Sequence, residues 1–198
     1  MRPHPKAPVS ISSSCLISTD GQCSVLVDNV DITKIPRQVV RERFNAIPQE
    51  PFFLKGSIRL NASPSSTHND AEIILALTKV DLWPIIKSRG GLDGPLDADA
   101  FSHGQRQLFC LARAILRKSK IVILDEVSSS IDIATDRLVQ RLIREEFSDA
   151  TILAVAHRLD TIMDFDRIAL LSDGKLVEFD TPKAFLESKS AFKELYNS

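Results

Sequence analysis

Three short stretches carry residue types that could do chemistry together. Asp125 and Glu126 are adjacent carboxylates that follow an apolar tetrapeptide, Ile121-Val122-Ile123-Leu124. His157 follows a second apolar run, Ile152 to Val155, after Ala156. Ser102-His103-Gly104-Gln105-Arg106-Gln107 precedes a stretch whose apolar residues keep helical spacing. Adjacent carboxylates can divide their labour. One can sit on the hydration shell of Mg2+, which takes hard oxygen ligands, and the other can orient or deprotonate an attacking water. A Ser hydroxyl, the Gly104 backbone and the free N–H groups of a helix start form an anion site. Each feature alone also has a plainer account: a solvated strand end, a satisfied histidine, a capped helix. Their combination and order are what carry information.

Bringing these groups together requires a particular scaffold. In open α/β sheets, ligands bind beyond the carboxyl ends of the strands. Asp125, Glu126 and His157 face one crevice if their two strands are neighbours. The surrounding pattern predicts such a sheet. Ser24-Val25-Leu26-Val27-Asp28 reads as a strand. Pro36 opens a short helix over 37–43, and Phe44 to Ile47 is a strand ended by Pro48. Residues 61–68 read as a loop, Asn69 begins a helix carrying Ile73, Ile74, Leu77 and Val80, and 89–95 is rich in turn residues. A helix is predicted from about Gly104 to Arg117, another from about Ala134 to Phe147, and a hairpin over 167–179 with an Asp173-Gly174 turn. Helical pattern resumes at Pro182. Strands alternating with helices indicate an α/β fold with a mostly parallel sheet, and Ile121 to Leu124, apolar on both faces, reads as its central strand. Residues 1–22, rich in Ser and Pro, are expected to be irregular. Residues 23–198 are expected to form the folded domain, with a helical subdomain over about 61–118.

The 198 residues suffice for one domain, and 43% apolar with 26% charged residues is ordinary for a globular chain. A formal net charge of -1 offers no field for nucleic acid or an anionic membrane surface. The three cysteines, Cys15, Cys23 and Cys110, show no zinc-binding spacing; Cys15 and Cys23 could pair, and free thiols are the plainer reading. No apolar run reaches the roughly 20 residues of a membrane span, so the chain by itself reads as soluble and cytoplasmic.

The motifs, in this order, resemble the ATP-binding domain of ABC transporters. Residues 101–107 resemble the signature motif, LSxGQRQ in many members, with Phe101 in place of Leu. Ile121 to Glu126 resembles Walker B, Ser129-Ser130-Ile131-Asp132 the D-loop, Ala156-His157-Arg158-Leu159 the H-loop, and Ile47-Pro48-Gln49-Glu50-Pro51 the Q-loop. The likeness is greatest to the second nucleotide-binding domain of the multidrug-resistance-associated (C subfamily) exporters, fungal ones above all. It rests on residues 52–59, 125–130 and 176–180. The resemblance implies a P-loop-NTPase-like ABC ATPase sheet with ATP and Mg2+ as cofactors. Asp125 and Gln49 are implied to contact Mg2+, Glu126 to be the catalytic base, and His157 to reach the γ-phosphate. Ser102, Gly104 and Gln105 are implied to close over ATP held by a second nucleotide-binding domain in a head-to-tail dimer, and Asp132 to couple the two sites. The implied partners are that domain and the transmembrane domains of an exporter, at the cytoplasmic face of a membrane.

One expected part is missing. ATP sites of this class use a Gly-rich loop, GxxxxGK followed by Ser or Thr, whose N–H groups cradle the phosphates while the Lys reaches the β and γ groups. The sequence contains no such stretch; its one Gly-Lys pair, Gly174-Lys175, precedes Leu176. A truncated ABC domain, defective in ATP binding on its own, is therefore expected. The alternative is a non-catalytic module that lends its signature segment to a partner's ATPase site.

Overall fold

The computed structural model describes residues 12–13, 25–127, 131–156 and 158–197. Cys15, Cys23, Ser129, Ser130 and His157 lie outside the described residues, as does most of the segment 1–22. In chain order the strands and α-helices are β1 (Ser12–Ser13), β2 (Val25–Val27), β3 (Val30–Asp31), α1 (Arg37–Arg43), β4 (Phe44–Ile47), α2 (Ile58–Ala62), α3 (Asp70–Lys79) and α4 (Trp83–Ser88). They continue with α5 (His103–Arg117), β5 (Ile121–Asp125), α6 (Ile133–Glu146), β6 (Thr151–Val155), β7 (Ile168–Ser172), β8 (Lys175–Asp180), α7 (Pro182–Glu187) and α8 (Ala191–Tyr196). The chain divides into two compact units, residues 43–161, and residues 1–42 with 162–198.

The larger unit is built on a parallel sheet of order β4-β5-β6. Phe44 pairs with Ile121 and Ile47 with Leu124, while Ile121 pairs with Thr151 and Asp125 with Val155. The continuous apolar run therefore became the central strand, with Ile121, Val122 and Leu124 buried. Helix α5 packs against β4, α3 and α6, and Phe109, Leu111, Val122 and Val139 lie in the core. The helix starts follow from their caps. Asn69 and Glu72 form a reciprocal capping box on α3, and Ser102 and Gln105 form one on α5. Helix α5 stops at Lys118, which adopts a left-handed conformation at φ 47°. Among the described residues no helix is long and apolar enough to cross a membrane.

The expected loop over 61–68 begins too early: Asn61 and Ala62 belong to α2, which Ser57 caps through its hydroxyl. Asn61 is fully buried and is the hub of a polar network. Its Oδ1 accepts from the Leu54 N–H at 2.8 Å and from Arg113 Nη2 at 3.0 Å, and its Nδ2 donates to the carbonyls of Leu54 and Ser57. Arg113 also donates to the carbonyls of Asn61 and Phe52, at 2.6 and 2.7 Å, and lies over the rings of Phe53 and Phe109. Burial pulls the Arg113 guanidinium below its ordinary pKa and pushes the buried Cys110 thiol up, which keeps that thiol inert. The network fixes the segment that leaves Phe52 and Leu54 exposed.

In the smaller unit, β1, β2 and β3 form an antiparallel sheet, so the strand expected over 24–28 pairs antiparallel and is not a member of the parallel sheet. The predicted hairpin is β7 paired with β8, closed by Asp173 and Gly174, both at positive φ, as a tight two-residue turn requires. The Glu178 carboxylate accepts from the N–H groups of Ala191 and Phe192. The helical pattern after Pro182 is broken between α7 and α8, where Ser190 caps the second helix.

Candidate functional site

The carboxyl end of β5 presents the acid pair. Asp125 closes the strand and is exposed. Glu126 then turns into the left-handed region, at φ 47°, while its N–H still completes the ladder by donating to the Val155 carbonyl at 3.0 Å. A non-glycine residue there costs about 1–2 kcal/mol, and the turn takes the Glu126 side chain out of the strand's alternation. Its Oε2 accepts from Gln49 Nε2 at 3.0 Å. Gln49 reaches it because β4 ends at Ile47 beside Leu124, so that Pro48 and Gln49 pass the tip of β5. Two residues 77 positions apart thus meet at the carboxyl end of two parallel strands.

A second group gathers at the starts of α5 and α6. The Ser102 hydroxyl oxygen accepts from the Gln105 N–H at 3.2 Å, and Gln105 Oε1 accepts from the Ser102 N–H at 3.0 Å. Gly104 is buried against α6. A β-carbon added to it would lie 3.0 Å from Thr135 Cγ2 and 3.3 Å from Thr135 Oγ1. Thr135 is itself held, since its hydroxyl donates to Asp132 Oδ2 at 2.7 Å. Asp132 caps α6 by accepting from the N–H groups of Ala134 and Thr135. The Thr135 hydroxyl, with these N–H groups, holds the Asp132 carboxyl below the usual carboxylate range.

Gly104→Ala therefore sets two effects against each other. Alanine gains up to about 1 kcal/mol of helix propensity, less in a first turn, but overpacking against a tethered side chain costs about 1–3 kcal/mol. The net expectation is a loss of about 1 kcal/mol in urea unfolding. The pair Gly104→Ala with Thr135→Ser should recover most of it, because serine keeps the hydroxyl and removes Cγ2. An unchanged or raised stability for Gly104→Ala alone contradicts this packing.

Of the residues singled out from sequence, the structure joins Gln49 to Glu126 beside Asp125, and links Gly104 to Asp132 through Thr135. His157 lies outside the described residues. Its neighbour Arg158 donates through Nη1 to Asp136 Oδ2 at 2.9 Å, which ties the segment after β6 to the first turn of α6. Two further residues shape the site. Asp136 is one. Gln107 is the other: it is buried on α5, and its Nε2 donates to the carbonyls of Pro48 and Gln49. Both carry a legible anomaly. Gln107 sits between Gly104 and Leu111 at i−3 and i+4, and Asp136 lies three residues before Val139, so each is a polar residue on an apolar stripe.

The donor set at the tip of β5 fits a hydrated Mg2+. Asp125 is a solvent-facing carboxylate, and Gln49 brings an amide beside Glu126. Mg2+ keeps several waters and takes only one or two protein oxygens plus phosphate. The same residues do not fit a triphosphate by themselves. Gly174, at φ 72°, belongs to the β7–β8 turn, and no Lys follows a Gly-rich loop.

The family model described as ABC transporter matches residues 14–129. The chain is 48% identical over 176 residues to the ABC multidrug transporter B of Aspergillus fumigatus, covering 88% of this chain and 12% of that protein. It is 45% identical over 175 residues to the ABC transporter ecdL of Aspergillus rugulosus, again 88% and 12%. It is 46% identical over 170 residues to the ABC transporter C family member 13 of Oryza sativa subsp. japonica, 84% of this chain and 11% of the relative. The chain thus spans roughly an eighth of the length of these relatives. ATP with Mg2+ is the general ligand of such domains, and the chain belongs to the ABC transporter family.

Proposed function

We propose that this chain is the Q-loop-to-H-loop portion of an exporter's nucleotide-binding domain, in which ATP binding and hydrolysis drive transport across a membrane. The observation that carries the reading is the 3.0 Å bond from Gln49 Nε2 to Glu126 Oε2 at the carboxyl end of the parallel strands. In this reading Glu126 is the catalytic base that takes a proton from the attacking water. Asp125 holds Mg2+ through water, Gln49 contacts the same ion and senses the transmembrane partner, and His157 reaches the γ-phosphate. Bound Mg2+–ATP supplies the phosphoanhydride bond and the charge that these groups face. Ser102, Gly104 and Gln105 serve the nucleotide of a second nucleotide-binding domain in a head-to-tail dimer, with Asp132 coupling the two sites. The capping geometry supports that role. Ser102 Oγ accepts from its own helix, which leaves the hydroxyl proton to donate elsewhere, and the cap uses only the oxygen of the Gln105 amide. The work takes place at the cytoplasmic face of the membrane, beside the transmembrane domains.

The triphosphate cradle is not among these residues. Charge-assisted hydrogen bonds contribute about 1.5–3 kcal/mol each, so lacking several removes most of the affinity. Isothermal titration of the 198-residue chain with Mg2+–ATP should give no saturable binding tighter than about 1 mM; micromolar binding overturns the statement. A second reading, favoured by the intact caps of α5, is that the chain lends its signature segment to a P-loop on another subunit. Adding a P-loop-bearing domain decides it: ATPase activity that appears with this chain and is lost with Ser102→Ala supports lending, and activity indifferent to Ser102 removes it.

A further inference from the structure

Gln107 is an expensive residue for its place. It is 1% exposed, and among the described residues its Oε1 has no hydrogen-bond partner. A buried, unpaired amide oxygen costs about 1–3 kcal/mol, which Met or Leu would avoid. What the glutamine provides is a pair of N–H donors, and both point at backbone carbonyls, those of Pro48 and Gln49. The amide orientation follows from chemistry, because carbonyls only accept. The very next link is the Gln49 side chain on Glu126. On the other side Gln107 belongs to the first two turns of α5, three residues from Gly104, which packs closely against Thr135.

We propose that Gln107 is a positioning residue: it clamps the start of α5 to the Gln49 backbone, so that a shift of the signature helix is delivered to Glu126. Its use in catalysis rests on the ATPase reading above. A nucleotide bound across the dimer touches Ser102 and Gly104, whereas Glu126 acts on this chain's own side. Gln107, on the helix that carries Ser102 and Gly104, reaches Glu126 through one intervening residue, Gln49.

The test uses the labelled 198-residue chain and no nucleotide. Gln107→Met keeps the length and apolar volume and removes both donors. The backbone carbonyl resonances of Pro48 and Gln49, which accept from Gln107, should move while α3 and α6 keep their exchange protection. The Glu126 Cδ resonance should move in Gln107→Met as it does in Gln49→Ala, and the double variant should move it no further than Gln49→Ala alone. A Glu126 resonance that stays put in Gln107→Met, or shifts that add in the double variant, overturns the proposal, since a packing role predicts either. If Gln107→Met does not fold, the native chain decides: slowly exchanging Gln107 side-chain amide protons support the clamp and fast ones refute it. Coupling found in a chain that never supports ATPase activity leaves the clamp standing and removes the functional reading. An active assembly without the coupling does the reverse.

Discussion

Glu126→Gln, in an intact nucleotide-binding domain that carries this segment together with its own P-loop, should lower ATP turnover by about 10²–10⁴-fold, the usual contribution of a positioned general base. Glutamine has the same shape, and its amide oxygen can still accept from Gln49 Nε2, so the 3.0 Å link survives. The backbone demand is also unchanged, since both residues bear the left-handed φ of 47° at equal cost. What disappears is the charge that takes a proton. Nucleotide binding and closure of the dimer should persist or strengthen, because one negative charge beside the phosphates is gone. Phosphate release measured under single-turnover conditions, with ATP retention measured alongside, separates the two effects. Full-rate hydrolysis by the variant would remove Glu126 from the role of base.

Asn61→Ala should destabilise the larger unit by about 3 kcal/mol. The side chain is fully buried and satisfies the N–H and carbonyl of Leu54, the Ser57 carbonyl and Arg113 Nη2. Four orphaned contacts at about 1–3 kcal/mol each would predict more. Three features reduce the loss. Leu54 is 40% exposed, so water can reach its backbone; the Ser57 carbonyl still accepts from the Asn61 N–H; and Arg113 keeps the carbonyls of Phe52 and Asn61. Urea unfolding measures the change, and a loss under about 1 kcal/mol would mean the network is dispensable. Hydrogen exchange should show the segment around Phe52 loosening first.

The long periodic elements were readable from the sequence to within a residue or two. Helix α5 was expected from Gly104 and begins at His103; α6 was expected from Ala134 and begins at Ile133; β5 gained only Asp125. Their stripes of apolar residues leave little choice of face. The short helices were not readable. α2 has five residues, too few for a period, and α4 carries Pro84, which reads as a breaker but sits in the first turn, where proline is tolerated. The site was half legible. Asp125 and Glu126 stood out by type and order and Gln49 through the family resemblance, but the bond that unites Gln49 with Glu126 depends on strand order. The left-handed turn at Glu126 depends on the surrounding packing, which no local pattern encodes. Gln107 and Asp136 were passed over, although each is a polar residue on an apolar stripe, and their partners lie 58 and 22 residues away, out of reach of any window.

The parallel pairing of β4 with β5 also sets a schedule. Gln49 is synthesised 77 residues before Glu126, which at ribosomal rates of 5–20 residues per second is a delay of about 4–15 s. Helices α3 and α4 can close within microseconds of emerging, whereas the amide has nothing to meet until the ribosome has delivered β5. The nascent chain therefore carries β4 as an unzipped parallel edge for seconds, and that interval, more than the finished sheet, is when a chaperone or an aggregating neighbour has its opportunity.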